Sequence, residues 1–436
     1  MAKYLIRSMI LPMTGPDDFY EQGEIAIDGD TIVAVGEKGS APADFVPDRI
    51  LDLPDDVVMP GLINTHTHAA MTLLRGYADD MPLMPWLEEK IWPFEAKMNE
   101  KDIYWGSLLA LCEMIRSGTT TMADMYIGQE QTAKAVLEAG TRAVLSRGMT
   151  AFQPEAANRA LQENIDLFHQ FHNGGDGRLK VYFGPHAPYT CPGEFLQKVK
   201  READRLGTGI HIHVAETRSE LATIRERYGT TPVRWLEGLG LFSGRVIAAH
   251  SVYLEEEELE IYQKYQVGVA HNPESNMKLN SGTAPIPQML SRGIAVGIGT
   301  DGTSSNNDLD MFGEMRTASF QQKLTGTPDL LSAYEVLNMA TNGGAKITGF
   351  TGLGRLAPGY KADLISVDLD QPHFYPRFSI PSHLVYCARG SDVRTVMVNG
   401  KILMEDRRLL TLDAKTICLE VEKRAKRIGA EVKNLL

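Results

Sequence analysis

Val57-Val58-Met59-Pro60-Gly61-Leu62-Ile63-Asn64-Thr65-His66-Thr67-His68 is an apolar run that ends in two histidines at a spacing of two. On an extended strand, alternate side chains share a face. His66 and His68 can therefore aim two imidazoles at one point, as a metal ion requires of its first pair of ligands. An H-x-H pair is weak by itself, because many such pairs are solvated surface groups. This pair closes a hydrophobic strand, which is where barrel enzymes place their chemistry. The rest of the chain must then supply the remaining ligands.

Working outward from that strand, residues 59–357 alternate short β-rich runs with helical stretches. After Val57–Ile63 the runs are Thr119–Asp124, Ala143–Arg147, Leu179–Gly184, Gly209–Ala215, Val246–Ala249, Gly268–His271 and Ala295–Thr300. The helical stretches include Lys101–Arg116, Gln131–Glu138, Ala157–Phe171, Pro192–Leu206, Glu220–Tyr228, Glu255–Tyr265 and Ser332–Thr341. Such alternation predicts a parallel sheet, and eight strands in roughly 300 residues predict a closed (β/α)8 TIM-type barrel. A doubly wound open sheet is the alternative, but no G-x-G-x-x-G follows an early strand. The two ends share another texture. Ile25 and Ile27 lead through Asp28-Gly29-Asp30 to Ile32, Val33 and Val35, a hairpin signal. Thr395–Val398, Asn399-Gly400 and Lys401–Met404 form a second hairpin, after a strand at Ala362–Val367. Neither end has enough strands alone. Residues 1–58 and 358–412 are therefore expected to build one small β-sandwich domain around the inserted barrel, with a closing amphipathic helix over 413–436.

The composition, 43% hydrophobic and 23% charged over 436 residues, is that of a globular protein. The net charge of −12 and the absence of any basic block argue against a nucleic-acid polymer as partner. Met1–Arg7 lacks the apolar core of a signal peptide, and no apolar run reaches the length of a membrane span. Cys112, Cys191, Cys387 and Cys418 are dispersed and form no C-x-x-C, which fits a reduced, cytoplasmic protein.

Each end of several strands carries a polar residue suited to chemistry. The fifth reads His211-Ile212-His213-Val214-Ala215-Glu216, the sixth ends in His250, the seventh in His271-Asn272-Pro273, and the eighth in Gly299-Thr300-Asp301-Gly302. A lone buried histidine is more often a satisfied core group. Unpaired buried polar groups cost about 1–3 kcal/mol each, so a shared centre accounts more simply for four such strand ends. Three imidazoles and a carboxylate suit zinc or ferrous iron. We assign His66, His68, His213 and Asp301 to the metal, with a position left for water of lowered pKa. His211 shares a face with His213, and spacing alone leaves it as the alternative.

Taken together, Met59–His68, His213-x-x-Glu216, His250, His271-Asn272-Pro273-x-Ser275-Asn276-x-Lys278-Leu279 and Gly299–Gly302 resemble the amidohydrolase superfamily. Within it they are most similar to the single-metal 5-methylthioadenosine/S-adenosylhomocysteine deaminase family, over essentially the whole chain. The resemblance implies hydrolysis of the 6-amino group of adenosine-type nucleosides to the 6-oxo product and ammonia. It favours His213 over His211, whose place is then the barrel interior. Glu216 would transfer a proton to the substrate ring nitrogen, Asp301 would take one from the attacking water, and His250 would bond and shuttle that water. Glu95 would hold the ribose hydroxyls, Arg147 at the end of strand three would contact substrate, a homocysteine carboxylate being a match for its guanidinium, and His186 would line the substrate site. His271 is expected to position the loop after strand seven. The fourth strand, Val181–His186, ends without a lysine to bridge a second ion, so one divalent ion per subunit is expected, zinc before ferrous iron. The run Met81–Trp92 can cover a thioether and purine, or serve as helix core or a homo-oligomer contact. Two other readings compete: a guanine, pterin or triazine aminohydrolase or chlorohydrolase with the same centre, and a non-catalytic barrel scaffold.

Overall fold

At Gly61 the chain passes from one sheet into another. The Gly61 amide donates to the Asp363 carbonyl (3.1 Å), and the Leu62 amide to the Gly118 carbonyl (3.0 Å). A Cβ on Gly61 would lie 2.2 Å from a Thr120 methyl, so only glycine fits this crossing. The computed structural model describes residues 2–433. Before the crossing come β1 (Lys3–Ile10), β2 (Tyr20–Asp28), β3 (Thr31–Glu37) and β4 (Arg49–Pro60). After it come β5 (Leu62–Thr67), β6 (Thr119–Tyr126), β7 (Arg142–Met149) and β8 (Leu179–Pro185). They are followed by β9 (Ile210–Val214), β10 (Val246–His250), β11 (Gly268–His271) and β12 (Val296–Ile298). The last four strands are β13 (Leu364–Asp368), β14 (Val393–Val398), β15 (Lys401–Glu405) and β16 (Arg408–Leu409).

Strands β5 to β12 close into a parallel barrel, with β12 returning to β5 through Ile298 and Asn64. These strands are buried along nearly their whole length, as expected where helices cover the outside of a parallel sheet. Ile63, Ala123, Val144, Tyr182, Ile247 and Ala270, from six strands, pack together inside the barrel with Ile347 and Phe350. This inner core closes the N-terminal mouth and leaves the C-terminal mouth for chemistry.

The remaining eight strands form one mixed sheet in the order β16-β15-β14-β13-β4-β1-β2-β3. Its centre is β4, parallel to β1 on one side and antiparallel to β13 on the other. The sheet curls until its two hairpin turns meet: a Cβ on Gly400 would lie 1.8 Å from the Gly29 carbonyl oxygen. Ile6, Ile27, Ile32, Leu364, Met397 and Ile402 share the core between the facing halves. The two domains are tied by Arg142, whose guanidinium meets Asp363 (2.6 and 2.9 Å) and the Asn399 side chain (2.6 Å) in a buried cluster. The closing helix runs Ala414–Lys433, and residues 434–436 of the expected helix lie outside the described residues. Arg424 and Arg427 on this helix pair with buried Asp102 (3.0 and 2.5 Å) on the helix Glu100–Arg116.

Candidate active site

Regular alternation alone would not gather these residues, and the backbone departs from it at four strand ends. In β5, Asn64 pairs with Met122 and Thr67 with Asp124, so three steps on β5 answer two on β6. The extra residue is a β-bulge, a device that re-aims side chains, and it turns His66 and His68 into the barrel. Elsewhere a left-handed residue makes the turn: Ala215 (φ +51°), His250 (φ +70°) and Asp301 (φ +58°). Side chains disfavour this conformation, and such strain collects at functional sites.

The rings of His66 and His68 stand 4.8 Å apart, as do those of His66 and His213. Asp301 Oδ1 lies 3.1 Å from His68 Nε2 and 3.4 Å from His66 Nε2. Each histidine is oriented from behind. His68 Nδ1 donates to the Met125 carbonyl (2.5 Å) and His213 Nδ1 to the His186 carbonyl (2.7 Å), which leaves both Nε2 atoms as bare acceptors. His66 Nδ1 is bonded to His211 Nε2 (2.8 Å), so His211 lies behind the cluster and backs a member of it. His66 Nε2 itself is buried without a hydrogen-bond partner. Burial drives His66 down to about 3. Burial also opposes a charge on His68, yet Asp301 outweighs it and lifts this imidazole to about 9. A divalent cation between His68 and Asp301 would answer the same carboxylate while leaving His68 neutral. The nitrogens of His66, His68 and His213, that of His66 without a hydrogen-bond partner among the described residues, and the Asp301 carboxylate fit a divalent metal.

The groups around this cluster divide the work of holding it. Ser275 (2.6 Å) and Ser305 (2.9 Å) both donate to Asp301 Oδ2, so Oδ1 is the oxygen turned to the histidines. His250 Nδ1 is 2.8 Å from Asn276 Oδ1, which directs its Nε2 towards Glu216 at 3.9 Å. Burial pushes the Glu216 carboxyl above its ordinary range, more than the His250 charge pulls it down. Ser275, Ser305 and Asn276 were not singled out from the sequence. Ser275 and Asn276 lie on the short helix Pro273–Lys278 and Ser305 in a turn, segments too short to show a periodicity, though the motif quoted for the seventh strand contains two of them.

One cavity, with an empty volume of ≈ 830 Å³, joins this cluster to the expected substrate residues. His68, His213, Glu216, His250 and Asp301 line it together with Glu95, Tyr126 and His186, whose ring stands 4.8 Å from that of His213. Leu83, Trp86, Leu87, Ile91 and Trp92 of the Met81–Trp92 run form an apolar wall. Tyr126 donates to Glu95 Oε1 (2.6 Å), a partner not foreseen from the sequence, and burial raises the Glu95 carboxyl. Burial lowers His186 to about 4, so it is neutral near pH 7. Arg147 is not brought to the cavity wall. Ser146 and Gly148 share the inward face of β7, and period two turns Arg147 outward, where Glu163 accepts from its Nε (2.7 Å). His271 is likewise turned from the cavity: it follows inward Ala270 without a left-handed turn. Its ring has no hydrogen bond among the described residues, so any hold on its loop is through its carbonyl, which accepts from the Gly299 amide (2.8 Å).

Residues 57–403 match the sequence model of the Amidohydrolase family. A 5-methylthioadenosine/S-adenosylhomocysteine deaminase from Desulfitobacterium hafniense is 69% identical over 98% of this chain and 99% of its own. Among solved structures, an adenosine deaminase from Xanthomonas campestris with bound zinc superposes with a TM-score of 0.95. It is 35% identical, and the match covers 98% of each chain. Atrazine chlorohydrolase from Arthrobacter aurescens, complexed with zinc, gives a TM-score of 0.89 at 27% identity, over 97% of this chain and 100% of that one.

Proposed function

The chain belongs to the amidohydrolase family, and from that premise we propose that it hydrolytically deaminates adenosine-type nucleosides at the 6-amino group. 5'-Methylthioadenosine and S-adenosylhomocysteine are the substrates put first, adenosine next, because relatives 48–69% identical carry that activity in their names. The observation that carries the reading is the single cavity lined by Glu216, His250, members of the histidine–aspartate cluster and the buried carboxyl of Glu95 together. It matches a nucleoside whose base and sugar need different partners.

His66, His68, His213 and Asp301 would hold one ion per subunit, zinc before ferrous iron. When bound, it acts as a Lewis acid and makes water a nucleophile near neutral pH. The protein's own groups do the proton work. Glu216, whose carboxyl burial raises above its ordinary range, donates a proton to the ring nitrogen next to the attacked carbon. Asp301 takes a proton from the attacking water through Oδ1, since Ser275 and Ser305 occupy Oδ2. His250 bonds the same water through Nε2 and relays the proton taken by Asp301 to the amino group that leaves as ammonia, while the new hydroxyl returns a proton to Glu216. Glu95, braced by Tyr126, accepts from the ribose diol, and His186 contacts the sugar side of the substrate. A carboxylate on the 5' tail would reach Arg147 only by displacing Glu163. R147M would then harm S-adenosylhomocysteine more than methylthioadenosine.

The test is an ammonia-release screen over purine nucleosides, free bases and triazines, with bound metal measured alongside. Nucleosides should exceed free adenine by roughly one to two decades in kcat/KM for each charge-assisted bond lost, at about 1.5–3 kcal/mol apiece. A preference for guanine or a triazine would overturn the nucleoside reading.

A further inference from the structure

Glu220 is buried, only 3% exposed, and no step above uses it. Its two oxygens are divided between consecutive amides: Oε1 accepts from Ala215 (3.0 Å) and Oε2 from Glu216 (2.9 Å). From the other side, the Ala215 carbonyl accepts from the amides of Val252 (3.1 Å) and Tyr253 (3.0 Å), just beyond His250 and Ser251. The left-handed Ala215 is thus gripped on both sides. Glu220 is itself fixed in the first turn of the helix Arg218–Tyr228, where its amide donates to the Thr217 hydroxyl (3.2 Å). No cation pairs with this carboxyl among the described residues. Burial pushes it up to about 8 against the pull of the two amides. A buried carboxyl without a cation is costly, and its only bonds set the direction in which Glu216 leaves the backbone.

We infer that Glu220 is a positioning residue for proton transfer, its carboxyl oxygens locking the Ala215–Glu216 turn so that the Glu216 carboxyl faces the substrate ring. The inference rests on the role of Glu216 given above. Glu220→Gln keeps the size of the side chain but offers an N–H to one of the two amides, so one clamp bond becomes a repulsion.

The experiment is a double-mutant cycle on the full-length, metal-loaded enzyme, read as kcat and KM for methylthioadenosine. E220Q should lower kcat on the order of 10²-fold, the effect of a misplacement near 1 Å, with metal content and KM little changed. In an E216Q background the same change should cost at most a few-fold, because the group being aimed is already gone. Equal losses in both backgrounds, or a wild-type kcat in E220Q, overturn the inference. If E220Q does not fold, E220D is carried through the same cycle. Failure of both to fold with metal assigns the carboxyl to the fold and also overturns it. The deaminase reading fails separately: it falls if the wild type releases no ammonia from nucleosides or if E216Q alone is fully active.

Discussion

Two carboxyl groups four residues apart, Glu216 and Glu220, are buried for different ends. E216Q should keep its metal and lose roughly 10²–10⁴ in turnover, the range for removing a general acid–base group. Asp301→Ala should instead lose the metal, as elemental analysis of the purified variant would reveal. Normal turnover in E216Q moves the proton transfer elsewhere. Glu220 makes a prediction about pH. Its folded-state value, about 8 against an ordinary 4.5, means that the folded protein holds this proton more tightly than the unfolded chain. Its contribution to stability is complete below about pH 4.5 and is lost as pH rises through about 8. The melting temperature of E220Q relative to wild type should therefore rise across that window, and a flat difference would contradict it. The residues that the fold gathers at one cavity, and that we propose bear the chemistry, were legible in the sequence because each ends an apolar strand: His66, His68, His213, His250 and Asp301. Glu220 was not, since a glutamate in the first turn of a helix is ordinarily solvated, and only the fold reveals that it points back to two amides.

Strand ends in this barrel are read correctly only with their backbone irregularities. Ala249-His250 and Ala270-His271 are the same dipeptide at the same place in successive strands, yet one histidine enters the cavity and the other does not. The difference is the left-handed turn at His250, which no local propensity announces. Arg147 has the same lesson: its strand was evident, but its face depended on a register fixed by β6 and β8. The His211–His213 choice was open for the converse reason. Both face inward, and their depth in the barrel, about 6.6 Å apart at 3.3 Å per residue, decides which meets His68 and Asp301. Gly299 shows how closely β12 approaches β5. A Cβ there would lie 2.4 Å from Asn272 Oδ1 and within 2.8–2.9 Å of the His66 backbone. Gly299→Ala should destabilise the fold by about 1–3 kcal/mol and lose on the order of 10² in activity as His66 and Asp301 are pushed apart. Denaturant melts and ammonia release check the two parts, and a fully active variant would show that the strands can yield.

The alternating insert and the paired ends made the whole-molecule plan legible, because hairpin signals in residues 25–35 and 395–404 are each too short to stand alone. The Arg142–Asp363–Asn399 cluster that joins the domains was not, since Arg142 lies 221 and 257 positions from its two partners. It lies at the barrel end opposite the cavity. R142M should therefore lower unfolding stability by about 3–5 kcal/mol, the cost of stranding a buried charge, while kcat is unchanged. A drop in kcat without a drop in stability would sink that division. The pairing of β4 with β13 has one more consequence, for a chain emerging from a ribosome. Pro60 must wait for Leu364, roughly 300 residues later. At about 5–20 residues per second that is roughly 15–60 s. During this interval β1 can already guard one edge of β4, but the other offers its backbone to any passing strand. That ladder stays open longer than the barrel's own closing pair, Asn64 with Ile298, and gives a ribosome-associated chaperone a second edge to protect.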